Sequence, residues 1–184
     1  MDACVLLRHT SRYSTVYSFN MRIFLLIISL IFTGILCSQS DQQVKEYEEQ
    51  YSYNIEQTHL NGVYIPESIN DAITELDRLS NEAGRSKFLE TDEDNAAKIL
   101  VKGLGKWMMV NWNLFEGSRL SHLLKGMGVS HPEDMAKFLI VSYHRHLRDA
   151  PQDFQARAKM YEEQRKSDQI KRNAEKKVIT SGNH

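Results

Sequence analysis

At 184 residues the chain has room for one domain with tails and not for several large ones. Its formal net charge of −1 excludes no class of partner. Its two cysteines, Cys4 and Cys37, lie near the N-terminus, so removal of a leader leaves no disulfide, no cysteine nucleophile and no cysteine-bound metal.

Residues 1–20 are mixed and polar, with Arg8, His9 and Arg12 and no continuous apolar segment. We read them as an over-extended N-terminus, with Met21 as the start. Met21-Arg22 leads into an almost unbroken apolar run, Ile23 to Leu36, followed by small polar residues. A short positive start, an apolar stretch and small residues describe a secretory signal peptide over 21–38. The run falls short of the ~20 residues that a membrane span needs. A retained anchor through 23–36 is the alternative, and would be the only membrane contact expected. Leu36 stands where a lipobox needs a small residue before Cys37, which argues against lipidation. The expected location is therefore periplasmic or extracellular.

Residues 39–60 form an acidic, polar lead-in with Tyr47, Tyr51 and Tyr53, expected to be flexible or loosely helical. Asn61-Gly62 signals a turn, and a short strand pair is possible near 63–65. From Pro66 a helix is expected, with Ile69, Ile73, Leu76 and Leu79 as its buried stripe and Gly84 at or after its end. Thr91, three residues before Asp94, reads as the next helix start. Ala96, Ala97, Ile99 and Leu100 lead from there into the central stretch.

Gly103 to Leu147 holds both tryptophans together with Gly103, Gly105, Gly117, Gly126 and Gly128. A helix carrying Trp107 should end in a turn near Asn113–Gly117. Ser118 then caps a helix whose Leu120, Leu123, Leu124 and Met127 share one face, with Gly126 and Gly128 as its stop. Ser130 and Glu133 read as a capping box with Pro132 in the first turn. Met135, Phe138, Leu139, Ser142, Tyr143 and Leu147 follow at helical spacing, and Pro151 limits that helix.

The segments Asn61-Gly-Val-Tyr-Ile-Pro66, Gly103-Leu-Gly-Lys-Trp107, Asn111-Trp112, Gly117-Ser-Arg-Leu-Ser121, His131-Pro-Glu-Asp-Met135 and Ser142-Tyr-His-Arg145 resemble an uncharacterised bacterial family, domain of unknown function 6794, found in short secreted or envelope proteins. The resemblance covers about residues 61–150. It implies a small, mainly helical domain without an assigned activity, and it transfers no role to any residue.

After Pro151 a basic helical tail over 151–184 begins with Phe154, Ala158 and Tyr161 and turns polar, with a frayed end from Thr180. Charge is uneven along the chain. Between Asp41 and Asn95 there are fourteen acidic and four basic residues; between Arg157 and Lys177 there are eight basic and four acidic. Acids interrupt the tail and no aromatics interleave with it, which argues against nucleic acid as a partner.

The expected architecture is mainly α: a small bundle of four or five short helices over 61–150, followed by the tail. Candidate chemistry is sparse. His144 and His146 are two apart and point about 200° apart on a helix, so they cannot chelate one ion. No metal and no cofactor is expected. Ser118 or Ser121 with His131 or His144 and Asp134 lacks the G-x-S-x-G elbow of a hydrolase. A small hydrolase or metal-dependent enzyme built on the histidines of 117–146 is the second reading; it requires at least three of His122, His131, His144, Glu133 and Asp134 to converge. Arg119 and Arg145 are expected to pair with Glu116, Glu133 or Asp134. Trp107 and Trp112, five apart, should not share a face, leaving one in the core and the other half exposed. Trp107, Asn111, Trp112, Phe115, Arg119 and Arg145 are the candidate binding residues, for a protein or an envelope component.

Overall fold

The structure, a computed structural model, describes residues 42–181, with side chains through residue 176. The expectations for residues 1–20, for the signal segment, for Cys37 and for the last three residues lie outside the described residues. The chain divides into two units, Met1–Glu48 and Glu49–His184. All tertiary contacts given below fall within the second.

The lead-in is helical over 42–54 (α1), with residues 42–50 exposed. A hairpin follows, in which β1 (His59–Leu60) pairs antiparallel with β2 (Val63–Tyr64), Leu60 opposite Val63. Its loop residues Asn61 and Gly62 have φ of 51° and 77°. Two consecutive positive values are what a two-residue type I′ turn requires, and Asn-Gly supplies them with least strain.

Helix α2 (Ile69–Leu79) begins after Ser68, whose hydroxyl accepts from the Asp71 amide at 3.1 Å, and so three residues later than Pro66 suggested. Ile69, Ala72, Ile73 and Leu76 are buried. Leu79, expected on the same stripe, is 49% exposed. Gly84 does not end α2. It lies inside a separate helix, α3 (Glu82–Leu89), which the sequence reading missed, and donates to the Asn81 cap at 2.7 Å. Asp92 rather than Thr91 caps α4 (Glu93–Leu100), accepting from the Asn95 amide at 3.0 Å.

The helical path continues through a π turn at Val101–Gly105 into α5 (Lys106–Asn111). A Cβ on Gly105 would lie 3.1 Å from Val101 Cγ2 and 3.4 Å from Ala136 Cβ, so glycine here permits a close approach to the next layer. α5 ends with Asn113 at a φ of 50° and Leu114 N–H returning to the Met109 carbonyl at 3.0 Å, a Schellman closure. α6 (Arg119–Gly126) starts in a capping box of Ser118 and Ser121 and ends in the same way at Gly128, as the sequence suggested.

Helix α7 (Pro132–Leu147) is the centre. It carries Pro132 at its start, but the Ser130–Glu133 box does not form: His131 occupies the cap position without a side-chain bond, and Glu133 pairs with Lys137. From Asp134 to His144 only Lys137 is not buried. A helix apolar on one stripe lies at a surface; one buried nearly all round is enclosed. α7 packs against α2, α3, α4, the π turn, α5 and α6, and against α8 (Phe154–Ser181). The fold is thus mainly helical, with one short strand pair and a long C-terminal helix.

Candidate functional site

A hollow of about 540 Å³ lies where α3, α4 and the π turn diverge over α7. Its walls are Leu79 from α2, Phe88 from α3, Ala96, Ile99 and Leu100 from α4, Leu104 from the π turn and Tyr143 from α7. Ser80, Asn81, Gly84, Arg85, Lys87 and Thr91 complete it. The size falls within the ~300–1,000 Å³ of ordinary ligand sites, which are mostly apolar with a few placed polar groups.

Local structure explains why this surface is left open. α3 contributes no fully buried side chain. Its anchors are polar and aromatic: Arg85 Nη1 donates to the Asp77 and Ser80 carbonyls at 3.1 and 3.3 Å and lies 3.2 Å from Asp77 Oδ1. Phe88 stacks on Tyr143 at 5.7 Å and meets the edge of His144 at 5.0 Å. The π turn inserts one residue into the α4–α5 path. Such insertions shift side-chain phase and often occur at functional sites; here Leu100 and Leu104 both face the hollow. Ile99 stays 64% exposed on its rim. Burial pushes the Tyr143 phenol above its ordinary pKa, so it stays neutral; its hydroxyl donates to Asp77 at 3.2 Å.

A smaller hollow of about 280 Å³ sits between α4, α7 and α8, lined by Glu93, Asp94, Arg145, Arg157 and Tyr161 among others. Its charges are of both signs, and both arginines are hydrogen-bonded to protein.

None of the six residues singled out from the sequence lines the larger hollow. Trp112 is fully buried and belongs to the core, so it presents no surface to a partner. Trp107 is 36% exposed and Phe115 57%. The two tryptophans do meet, edge to face at 5.6 Å, contrary to the expectation from their spacing. That expectation assumed one unbroken helix; Trp112 lies just beyond α5, at φ −92° and ψ 10°. Asn111 donates to the Trp107 carbonyl at 2.9 Å.

Both candidate arginines pair structurally, with partners other than those expected. Arg119 Nε donates to the Ile65 carbonyl at 2.7 Å, its Nη1 lies 3.5 Å from Glu67, and the guanidinium sits 5.3 Å from the Tyr64 ring centroid. It ties the hairpin exit to α6. Arg145 donates through Nε and Nη2 to both oxygens of Glu93 at 2.7 Å and through Nη1 to the Pro151 carbonyl at 3.0 Å. It joins α4, α7 and the entry to α8. Asp134 pairs instead with Arg165.

The histidines and carboxylates of the second reading are dispersed. His122 Nδ1 meets the Tyr51 hydroxyl at 3.0 Å on the exposed side of α6. His144 is buried, with Nε2 at 2.8 Å from the Thr91 carbonyl. His131 is an exposed cap residue, Glu133 holds Lys137 and Asp134 holds Arg165. Among the described residues no group of three or more His, Cys, Asp and Glu side chains is placed to hold a metal ion.

The fold and the hollow define a small helical domain with an uncovered apolar depression. Residues 65–147 match the sequence model of a family described as a domain of unknown function, DUF6794, and this chain carries that domain. The matched segment runs from the end of the hairpin to the end of α7, and so contains the whole wall of the hollow. No curated protein and no solved structure matches the chain.

Proposed function

We propose that the protein is an exported, non-catalytic binding module that takes an apolar group of its ligand into the hollow over α7. The observation that carries this reading is the set Phe88, Ile99, Leu100 and Leu104, four large apolar side chains lining an open depression. Uncovered apolar surface gathered in a concavity is the usual mark of a ligand or partner site. The dispersal of histidines and carboxylates favours binding over catalysis. Export rests on the Met21–Ser38 leader, and the ligand is accordingly a component of the envelope or of the medium beyond it. No helix among the described residues is long and apolar enough to cross a membrane.

The test is uptake of a neutral environment-sensitive dye, Nile red, by the purified protein and by an Ile99→Glu variant. Saturable uptake by the parent and its loss in the variant, with helicity unchanged, supports the reading; no saturable uptake by the parent overturns it. Mass spectrometry of the N-terminus tests export: a chain beginning near Gln39 is expected, and a retained Met1 or Met21 would refute removal of the leader.

A further inference from the structure

We propose that the hollow selects a single-chain fatty carboxylate, with the carboxylate at Lys87 and the aliphatic tail along Phe88, Ile99, Leu100 and Leu104; this rests on the reading of the hollow just given.

The first argument is charge. The segment from Asp41 to Asn95 holds fourteen acidic and only four basic residues. Two of those four, Arg85 and Lys87, line the hollow, and no acidic residue does. An apolar depression whose only charged lining residues are cationic attracts an anion to their edge. Arg85 is already engaged by Asp77 and the Ser80 carbonyl. Lys87 makes no ion pair among the described residues, so its ammonium is available to a ligand.

The second argument concerns the tail. A flat aromatic ligand needs a ring face to stack on. Phe88 and Tyr143 stack on each other, and the edge contact with His144 engages Phe88 further. The remaining surface is offered by Leu79, Ala96, Ile99, Leu100 and Leu104, all aliphatic. A flexible hydrocarbon chain matches such a wall; each methylene buried contributes up to ~0.8 kcal/mol, about fourfold in affinity.

The experiment displaces Nile red from the protein, recovered from cells expressing the full reading frame, with three competitors of equal tail: dodecanoate, neutral dodecyl maltoside and dodecyltrimethylammonium, each below its micellar concentration. Dodecanoate should compete about two- to fivefold better than the neutral compound, the range of one solvent-exposed ion pair, and the cation worst. Decanoate should compete less well than dodecanoate, and Lys87→Gln should bring the anion-to-neutral ratio close to one. Equal competition by all three head groups overturns this inference and leaves the apolar binding reading standing. Failure of every competitor to displace the dye overturns both. Capture by phosphatidylglycerol vesicles without displacement by dodecanoate assigns the surface to a membrane and overturns the fatty-carboxylate proposal.

Discussion

The Arg157 guanidinium lies 4.4 Å from the Phe138 ring centroid and donates from Nη2 to the carbonyl of that same residue at 2.8 Å. Nη1 reaches Ser142 Oγ at 3.1 Å and the Gln152 carbonyl at 3.2 Å. This buried cation thus has only neutral acceptors and an aromatic face, and burial lowers its pKa to about 10. It remains charged at neutral pH. Its planar, weakly hydrated fork suits such a site, whereas a compact ammonium does not.

Arg157→Lys should therefore destabilise by about 2–4 kcal/mol, because the strongly hydrated charge enters the same pocket with fewer donors in place. Arg157→Met removes the charge with most of the packing volume and should cost less than Arg157→Lys. Urea midpoints of the two variants check the order; a lysine variant as stable as the parent refutes it.

Trp112 and Phe115 should separate cleanly. Trp112→Ala empties a fully buried site and should cost about 3–5 kcal/mol, enough to unfold a marginal domain. Phe115→Ala, at an exposed position, should stay within about 0.5 kcal/mol. Circular dichroism melts of the two variants decide this, and similar losses at both positions contradict the placement of Trp112 in the core.

Two glycines should respond unequally to alanine. Gly117 has a φ of 108°, and a Cβ there would fall 2.3 Å from the Tyr51 ring. Strain at such a φ is about 1–3 kcal/mol, and displacing the ring adds to it. Gly105 is helical with contacts of 3.1 and 3.4 Å; crowding there is partly offset by the ~1 kcal/mol that alanine gains over glycine in a helix. Gly117→Ala should lower the melting temperature more than Gly105→Ala. Adding Tyr51→Ala should recover part of the Gly117→Ala loss.

Acid should weaken the α4–α7 connection. The two Arg145 hydrogen bonds hold the Glu93 carboxyl below the ordinary carboxylate range. Its folded pKa is depressed, so its contribution is fully present above the unfolded value of about 4.3 and is lost as pH falls through the lower, folded one. Glu93→Gln should cost about 1 kcal/mol at pH 7, the pair being partly screened by solvent. The gap between the variant and the parent should be smaller at about pH 3, below the unfolded value, than at pH 7. Denaturant titrations at both pH values measure the gap; one that persists unchanged in acid contradicts this account.

Features set by a single residue's local geometry were legible in the sequence. Asn61-Gly62 dictates its turn, Ser118 its cap and Gly128 its stop, because few other residues satisfy those backbone demands. α3 was not legible: Glu82–Leu89 buries no residue completely, so no apolar period marks it. The start of α4 was misread by one position because Thr91 and Asp92 are both competent caps. Leu79 and Ile99 fit buried spacings yet face the hollow, which sequence periodicity cannot distinguish from the core. The hollow itself draws on α2, α3, α4, the π turn and α7, and no contiguous motif spells it. Arg119 and Arg145 were recognisable as pairing residues, but Glu67 and Glu93 lie more than fifty positions away and only the fold brings them near.

Residues 93–111 travel as one coil with a single supernumerary residue at its middle, and side chains advance about 100° per residue along such a coil. Excising Gly103, whose absent Cβ would touch nothing within 4 Å, would restore regular winding without opening a gap. Everything downstream would then be turned by roughly a quarter of a revolution against everything upstream. Met108 and Trp112 could not sit in the interior while Leu100 still faced the depression. That one extra unit is the gear that lets the same rod seal the centre at one end and leave a hole at the other.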